Sequence, residues 1–280
     1  MSYKRILTVQ DISCLGQCSL TVALPVLSAC GHETCIIPSA VLSTHTGGSF
    51  KGYTFRDLGE DIPAIRTHWQ RQGVRFDAIY TGYLGSTSQA AYVAEIMDSL
   101  LRPGAKIIVD PAMADNGRLY AGFDAEYAAA MGRLCKKADV ILPNITEACL
   151  LTGLDYRENC DEKYIDALLS GLLALGCPNV VLTGVSFSPD YTGVVVCEGG
   201  KKSDYRHPRI PRMFHGTGDV YAASFTGGWL RGMSLTEAAR IAADFTVRSI
   251  ENTLDDPEHW YGVKFETALP WLISSLQRKN

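Results

Sequence analysis

The chain alternates between two kinds of segment. Short runs rich in aliphatic and β-branched residues, Arg5–Val9, Cys35–Val41, Asp77–Thr81, Lys106–Asp110, Val140–Pro143 and Asn179–Thr183, are separated by longer stretches with helical character. Strands joined through helices run parallel, because a parallel pair needs a crossover of a dozen or more residues. Such crossovers lay helices on both faces of the sheet. The alternation therefore predicts an α/β chain in three layers, α/β/α, around a mostly parallel central sheet.

Punctuation supports this reading. Ser86-Thr87-Ser88-Gln89 reads as a capping box opening a helix to about Leu101, which Pro103-Gly104 stops. A second helix runs from Asp161 to Leu175, ended by Gly176 and Pro178. After Gly184 the pattern changes: Tyr191–Cys197 and Lys202–Arg209 read as a hairpin around Glu198-Gly199-Gly200. A further capping box, Ser234-Leu235-Thr236-Glu237, opens a helix to about Thr253. No linker, low-complexity tract or repeat interrupts the chain, so residues 1–280 are predicted to form one domain. A chain this long buries roughly 75% of its unfolded surface.

Composition excludes several classes. The net charge is −4 with no dominant basic patch, which argues against nucleic acid. No apolar run approaches the roughly 20 residues that span a bilayer. The nine cysteines include no Cys-x-x-Cys pair, so zinc spacing is missing. Their odd number, and a start without the look of a signal peptide, predict a reduced cytoplasm with the thiols as small core residues.

In a doubly wound sheet, ligands bind beyond the carboxyl ends of the strands. Polar or glycine-rich clusters fall at such ends: Gln10-Asp11, Ser43–Gly48, Gly82–Ser86, Asp110–Gly117, Asn144–Glu147 and Thr183–Ser186. The most informative cluster comes later. Phe214-His215-Gly216-Thr217-Gly218-Asp219 precedes a helix-compatible apolar run. Glycines at a helix start offer backbone N–H groups to an anion. Asp219 beside that anion could take a proton from a hydroxyl, or could merely favour the helix dipole. Tyr221 stands where a dinucleotide fingerprint needs its third glycine, and no Walker loop is present.

The Gly216–Asp219 motif resembles the signature of ribokinase-superfamily kinases, near their C-terminal end. Other segments resemble the pyridoxal kinases within it. These are Ile6-Leu7-Thr8-Val9-Gln10 with Gly16, Ser43-Thr44-His45-Thr46-Gly47, Thr81-Gly82-Tyr83-Leu84-Gly85-Ser86, Asp110-Pro111-Ala112-Met113-Ala114-Asp115 and Pro143-Asn144-Ile145-Thr146-Glu147. They keep the family's order from residue 6 to residue 219.

The resemblance implies a ribokinase-like fold and ATP-dependent phosphorylation of the 5′-hydroxymethyl group of a B6 vitamer. It makes Asp219 the base, with Gly216, Thr217 and Gly218 as the anion hole. It places Asn144, Glu147, Thr183, Gly184 and Ser186 along the nucleotide, and Asp110 and Glu147 near Mg²⁺, through water. His45, Thr46 and Tyr83 would hold the vitamer, with Asp11 beside them. It implies ATP and Mg²⁺, leaves a monovalent cation open, and implies a cytoplasmic homodimer without nucleic-acid or membrane partners.

Two departures concern the substrate. Asp11 stands where these kinases usually carry serine, which suits a protonated amine or ring nitrogen better than an aldehyde. Pyridoxamine or pyridoxine is therefore expected to be handled at least as well as pyridoxal. Leu42 stands where an aromatic often lines the ring pocket. Hydroxymethylpyrimidine kinase is the nearest rival, but Asp11-Ile12-Ser13-Cys14-Leu15 lacks its Ser/Gly/Asp-rich first turn. A sugar kinase is a weaker rival, and a non-catalytic binding protein would have no use for the whole Gly216–Asp219 motif. His215 is read as a packed or solvated histidine, and Gly117 with its neighbours as a short lid.

Overall fold

A computed structural model describes residues 3–158 and 160–277. Met1 and Ser2, where the opening stretch begins, lie outside them. The first half contains β1 (Arg5–Leu15), α1 (Leu20–Ala29), β2 (Glu33–Thr44), β3 (Phe55–Asp57), α2 (Asp61–Arg71), β4 (Phe76–Thr81), α3 (Thr87–Leu100) and β5 (Leu101–Val109). A small hairpin follows, β6 (Ala114–Asp115) and β7 (Arg118–Leu119), then α4 (Ala125–Cys135), β8 (Val140–Ile141), α5 (Ile145–Thr152) and α6 (Glu162–Ala174). The chain continues through β9 (Asn179–Ser188), β10 (Tyr191–Glu198), β11 (Lys201–Pro208), α7 (Thr217–Leu230), α8 (Leu235–Glu251) and α9 (Leu269–Gln277).

Nine strands form one sheet in the order β11-β10-β9-β8-β5-β4-β1-β2-β3. Neighbours from β9 across to β2 pair parallel, whereas β10, β11 and β3 pair antiparallel at the two edges. Alternation along each central strand feeds two cores. Leu7, Val9 and Ile79 face one side, where Ile62, Val93, Met131 and Leu168 cover them. Ile6, Ala78, Tyr80 and Ile108 face the other, against Val26, Phe225, Phe245 and Leu272. The expected layers and the late hairpin are both present.

Several boundaries differ, each for a local reason. β1 runs on to Leu15, so Asp11 lies inside the strand at a register shift between Gln10 and Ile12. α3 ends at Leu100 without needing Pro103-Gly104, which fall within β5. There the pairing jumps from Phe76↔Leu101 to Ala78↔Lys106, a bulge that absorbs a proline without an N–H and a glycine at φ +78°. Asp110 is the first residue past β5 rather than its last. The Ser86 hydroxyl accepts from Gln89 N, but the Gln89 amide turns away to Gly85 N and Ser39 O, so the box is half made. A complete box occurs instead at Asn144 and Glu147, opening α5.

Candidate active site

α7 starts at Thr217 because Gly216 sits in the left-handed region at φ +74°, a turn into the helix that glycine adopts without strain. A Cβ on Gly216 would lie 1.7 Å from the Gln17 carbonyl, so the loop opening α7 rests directly on the turn after β1. No atom lies within 4 Å of a Cβ built on Gly218, and the space above it is open. The first N–H groups of a helix lack intrahelical partners, so the start of α7 offers donors to that space.

A cleft of about 570 Å³ opens there. It is lined by Gly216, Thr217, Gly218 and Asp219 together with Asp110, Asn144, Glu147, Thr183 and Gly184. A second groove of about 860 Å³ shares Asn144 and Gly184 with it and adds Ser186, Thr146, Tyr156 and Arg209. The residues assigned to catalysis, nucleotide and metal thus converge on two adjoining spaces.

Burial next to Asp11 pushes the Asp219 carboxyl up to about 7, although the backbone at Ser19 opposes this. Asp110 is likewise pushed well up, by burial first and then by Glu147 and Asp219; its Oδ1 accepts from Ala112 N at 3.2 Å. Ala112 itself holds φ +41°, a left-handed conformation costly for alanine, at the base of the β6–β7 hairpin. Glu147 ties that base down. Its Oε2 accepts from Asn144 N at 2.9 Å and its Oε1 from Met113 N at 2.9 Å, while Asn144 Nδ2 donates to Ala114 O at 2.8 Å. Burial raises Glu147 and these backbone donors partly offset the effect.

Asp11, His45, Thr46 and Tyr83 line neither space. Asp11 is buried behind Asp219; burial raises it, and its carboxylate accepts from Ser13 Oγ at 3.0 Å. Tyr83 lies within electrostatic reach of Asp11 and stacks on Phe123 at 5.4 Å. His45 has both ring nitrogens committed: Nδ1 accepts from Gly47 N at 3.1 Å and Nε2 meets Tyr261 O at 2.8 Å. It can offer a ligand its ring, whereas its nitrogens serve the backbone. Thr46 is exposed on the loop beside it.

Sequence reading passed over several lining residues. Asp115 and Asn116 fall in the polar cluster after β5 and were within reach of the strand-end argument. Tyr120, Met213 and Arg209 carry no local signal, because their place depends on how the loops fold back. Gln17, which lines neither space, carries no local signal either: its amide donates to Glu266 at 2.8 Å and its Oε1 meets His259 Nε2 at 2.8 Å, a clasp between distant segments.

The chain is similar to several known kinases. The family model described as phosphomethylpyrimidine kinase matches residues 39–262. The pyridoxine/pyridoxal/pyridoxamine kinase of Bordetella avium is 30% identical, covering 89% of this chain and 85% of the relative. The crystal structure of pyridoxal kinase from Lactobacillus plantarum superposes with a TM-score of 0.89 at 33% identity, covering 98% of each chain. A Bacteroides thetaiotaomicron protein described as a candidate phosphomethylpyrimidine kinase, in a crystal form with pyridoxal, gives 0.91 at 36% identity, covering 97% of this chain and 96% of that one. The chain therefore belongs to the phosphomethylpyrimidine kinase family, among the pyridoxal kinases of the ribokinase-like superfamily, and is a phosphotransferase acting on an alcohol group.

Proposed function

We propose that this enzyme transfers the γ-phosphoryl group of ATP to the 5′-hydroxymethyl group of a B6 vitamer: pyridoxal, pyridoxamine or pyridoxine. The observation that carries the reading is the pairing of a partly buried carboxylate, Asp219, with the open N-terminus of α7 in one cleft. The hydroxymethyl oxygen attacks the γ-phosphorus, its proton passes to Asp219, and the bond from that phosphorus to the ADP oxygen breaks. A base whose pKa lies near the working pH suits this transfer. The N–H groups of Gly216–Gly218 meet charge on the phosphoryl oxygens, where positioning and charge neutralisation carry most of the catalysis.

The donor set fits Mg²⁺ held through water. Asp110 and Glu147 line one cleft, and burial raises both. Among the described residues no three acidic, histidine or cysteine side chains close around a common point, and Mg²⁺ uses few carboxylates while keeping several waters. Bound there, the ion would neutralise phosphate charge and orient the nucleotide.

Asp11, Tyr83 and the face of His45, outside both spaces, are assigned to the vitamer. The reading also has the chain act as one domain, as a homodimer, in a reduced cytoplasm. All nine cysteines are free thiols, which supports that compartment. The test is coupled ATP turnover with the three vitamers and hydroxymethylpyrimidine. Phosphorylation of at least one vitamer is expected; turnover of the pyrimidine alone would overturn the reading.

A further inference from the structure

The cleft that would receive the phosphoryl group is short of positive charge. Asp110, Asp115, Glu147 and Asp219 line it, and no lysine or arginine does. The lining side chains that can become cationic are His207 and His215. His207 lies on β11 and turns Nδ1 to its neighbour's carbonyl, Pro208 O, at 3.0 Å. His215 immediately precedes the left-handed Gly216.

Its ring is held by packing. The His45 ring lies 4.8 Å away, and a Cβ on Gly47 or Gly48 would come within 2.5 or 2.9 Å of the imidazole. Among the described residues neither ring nitrogen has a protein hydrogen-bond partner, whereas His45 beside it has both committed. The ring nitrogens lie beside Gly47 and Gly48, on a side chain that stays exposed at the rim of the cleft.

The geometry points to His215 as a further catalytic residue, which donates an N–H hydrogen bond to a non-bridging oxygen of the phosphoryl group in transit. No proton is transferred in this contact; Asp219 still receives the one from the acceptor hydroxyl. The proposal rests on the phosphoryl-transfer reading above. The titratable groups that face the ring are His45, from the loop after β2, and Asp115, from the β6–β7 hairpin. Burial lowers the His215 pKa and Asp115 raises it, so a neutral ring with one N–H is available at neutral pH.

The test compares His215→Ala, →Phe, →Asn and →Gln in two assays, vitamer phosphorylation and acceptor-free ATP hydrolysis. Phenylalanine keeps the ring and removes the donor. His215→Phe is expected to lose about 10- to 100-fold in kcat in both assays, the scale of a charge-assisted hydrogen bond. Vitamer KM should stay within about twofold, and Gln or Asn should recover rate relative to Ala. Wild-type rates in His215→Phe, with only His215→Ala impaired, would reduce His215 to packing and overturn the proposal. Should the Phe variant not fold, Asn decides: a kcat no better than that of Ala overturns it equally. If no vitamer is turned over while hydrolysis persists, the vitamer reading alone fails, and the hydrolysis rates of the same variants still judge His215.

Discussion

Asp219 and its neighbour Asp11 share one small region of low polarity, and neither carries a compensating cation within the protein. As the proposed base, Asp219 must be ionised to accept a proton, so kcat is expected to fall as pH drops through about 7. Replacing Asp11 with asparagine removes the repelling charge and should move that limb to lower pH, which a pH–kcat profile reads directly. Asp219→Asn should cost about 10²- to 10⁴-fold in kcat while titration calorimetry still shows ATP binding. The stability consequence has the opposite sense. A carboxyl raised in the folded state is stabilising below its unfolded pKa, and that contribution is lost as pH rises through the folded value. In thermal melts of the unliganded enzyme, Asp219→Asn should therefore gain on the wild type as pH rises towards 7, with the gain level above that. A gain confined to acid pH would contradict the burial argument.

At the scale of elements, the start of α7 separates two glycines that look equivalent in sequence. Gly216 has a left-handed backbone and no room, whereas Gly218 has open space. Gly216→Ala should unfold or strongly destabilise the chain, by more than about 2 kcal/mol. Gly218→Ala should melt at least as high as wild type, since alanine favours helix by up to about 1 kcal/mol. Its kcat should still fall at least about tenfold, because the methyl group intrudes on the anion cradle. Equal activity of Gly218→Ala and wild type would remove the cradle from this helix. The capping box of α5 makes a similar point. Glu147→Ala frees Asn144 N and Met113 N together and should cost about 1–3 kcal/mol. Hydrogen exchange should show the Met113 amide losing protection, which links the base of the β6–β7 hairpin to the residues assigned to the nucleotide.

Across the whole molecule, the β–α alternation was enough to place the parallel strands and the two faces of helices, because burial on both sides leaves continuous apolar runs. The edges were less legible. β3 has only three residues, all exposed, and pairs with Ala40, Val41 and Leu42 of β2. The extension of β1 past Val9 was hidden because Gln10 and Asp11, polar and buried, look like a turn. The residues gathered around Asp219 were legible through motifs at strand ends. Gln17 and Arg209 were not, since their positions come from segments that meet only after folding. A protein with these adjoining spaces should be stabilised by nucleotide. ATP with Mg²⁺ at about 100 times its Kd should add about 2.7 kcal/mol, read as a rise in Tm, and chelating the metal should remove most of it.

The clasp between the first turn and the last quarter of the chain bears on biosynthesis. Gln17 is held by Glu266 and His259, and His45 by the carbonyl of Tyr261. A nascent chain that has just exposed Asp219 to solvent already owns every group assigned to the phosphoryl cleft. The loop assigned to the acceptor, though it can pack on His215, still lacks the Tyr261 carbonyl. Until residues 259–266 clear the ribosome, neither Gln17 nor the Nε2 of His45 can make the contacts it has in the finished protein.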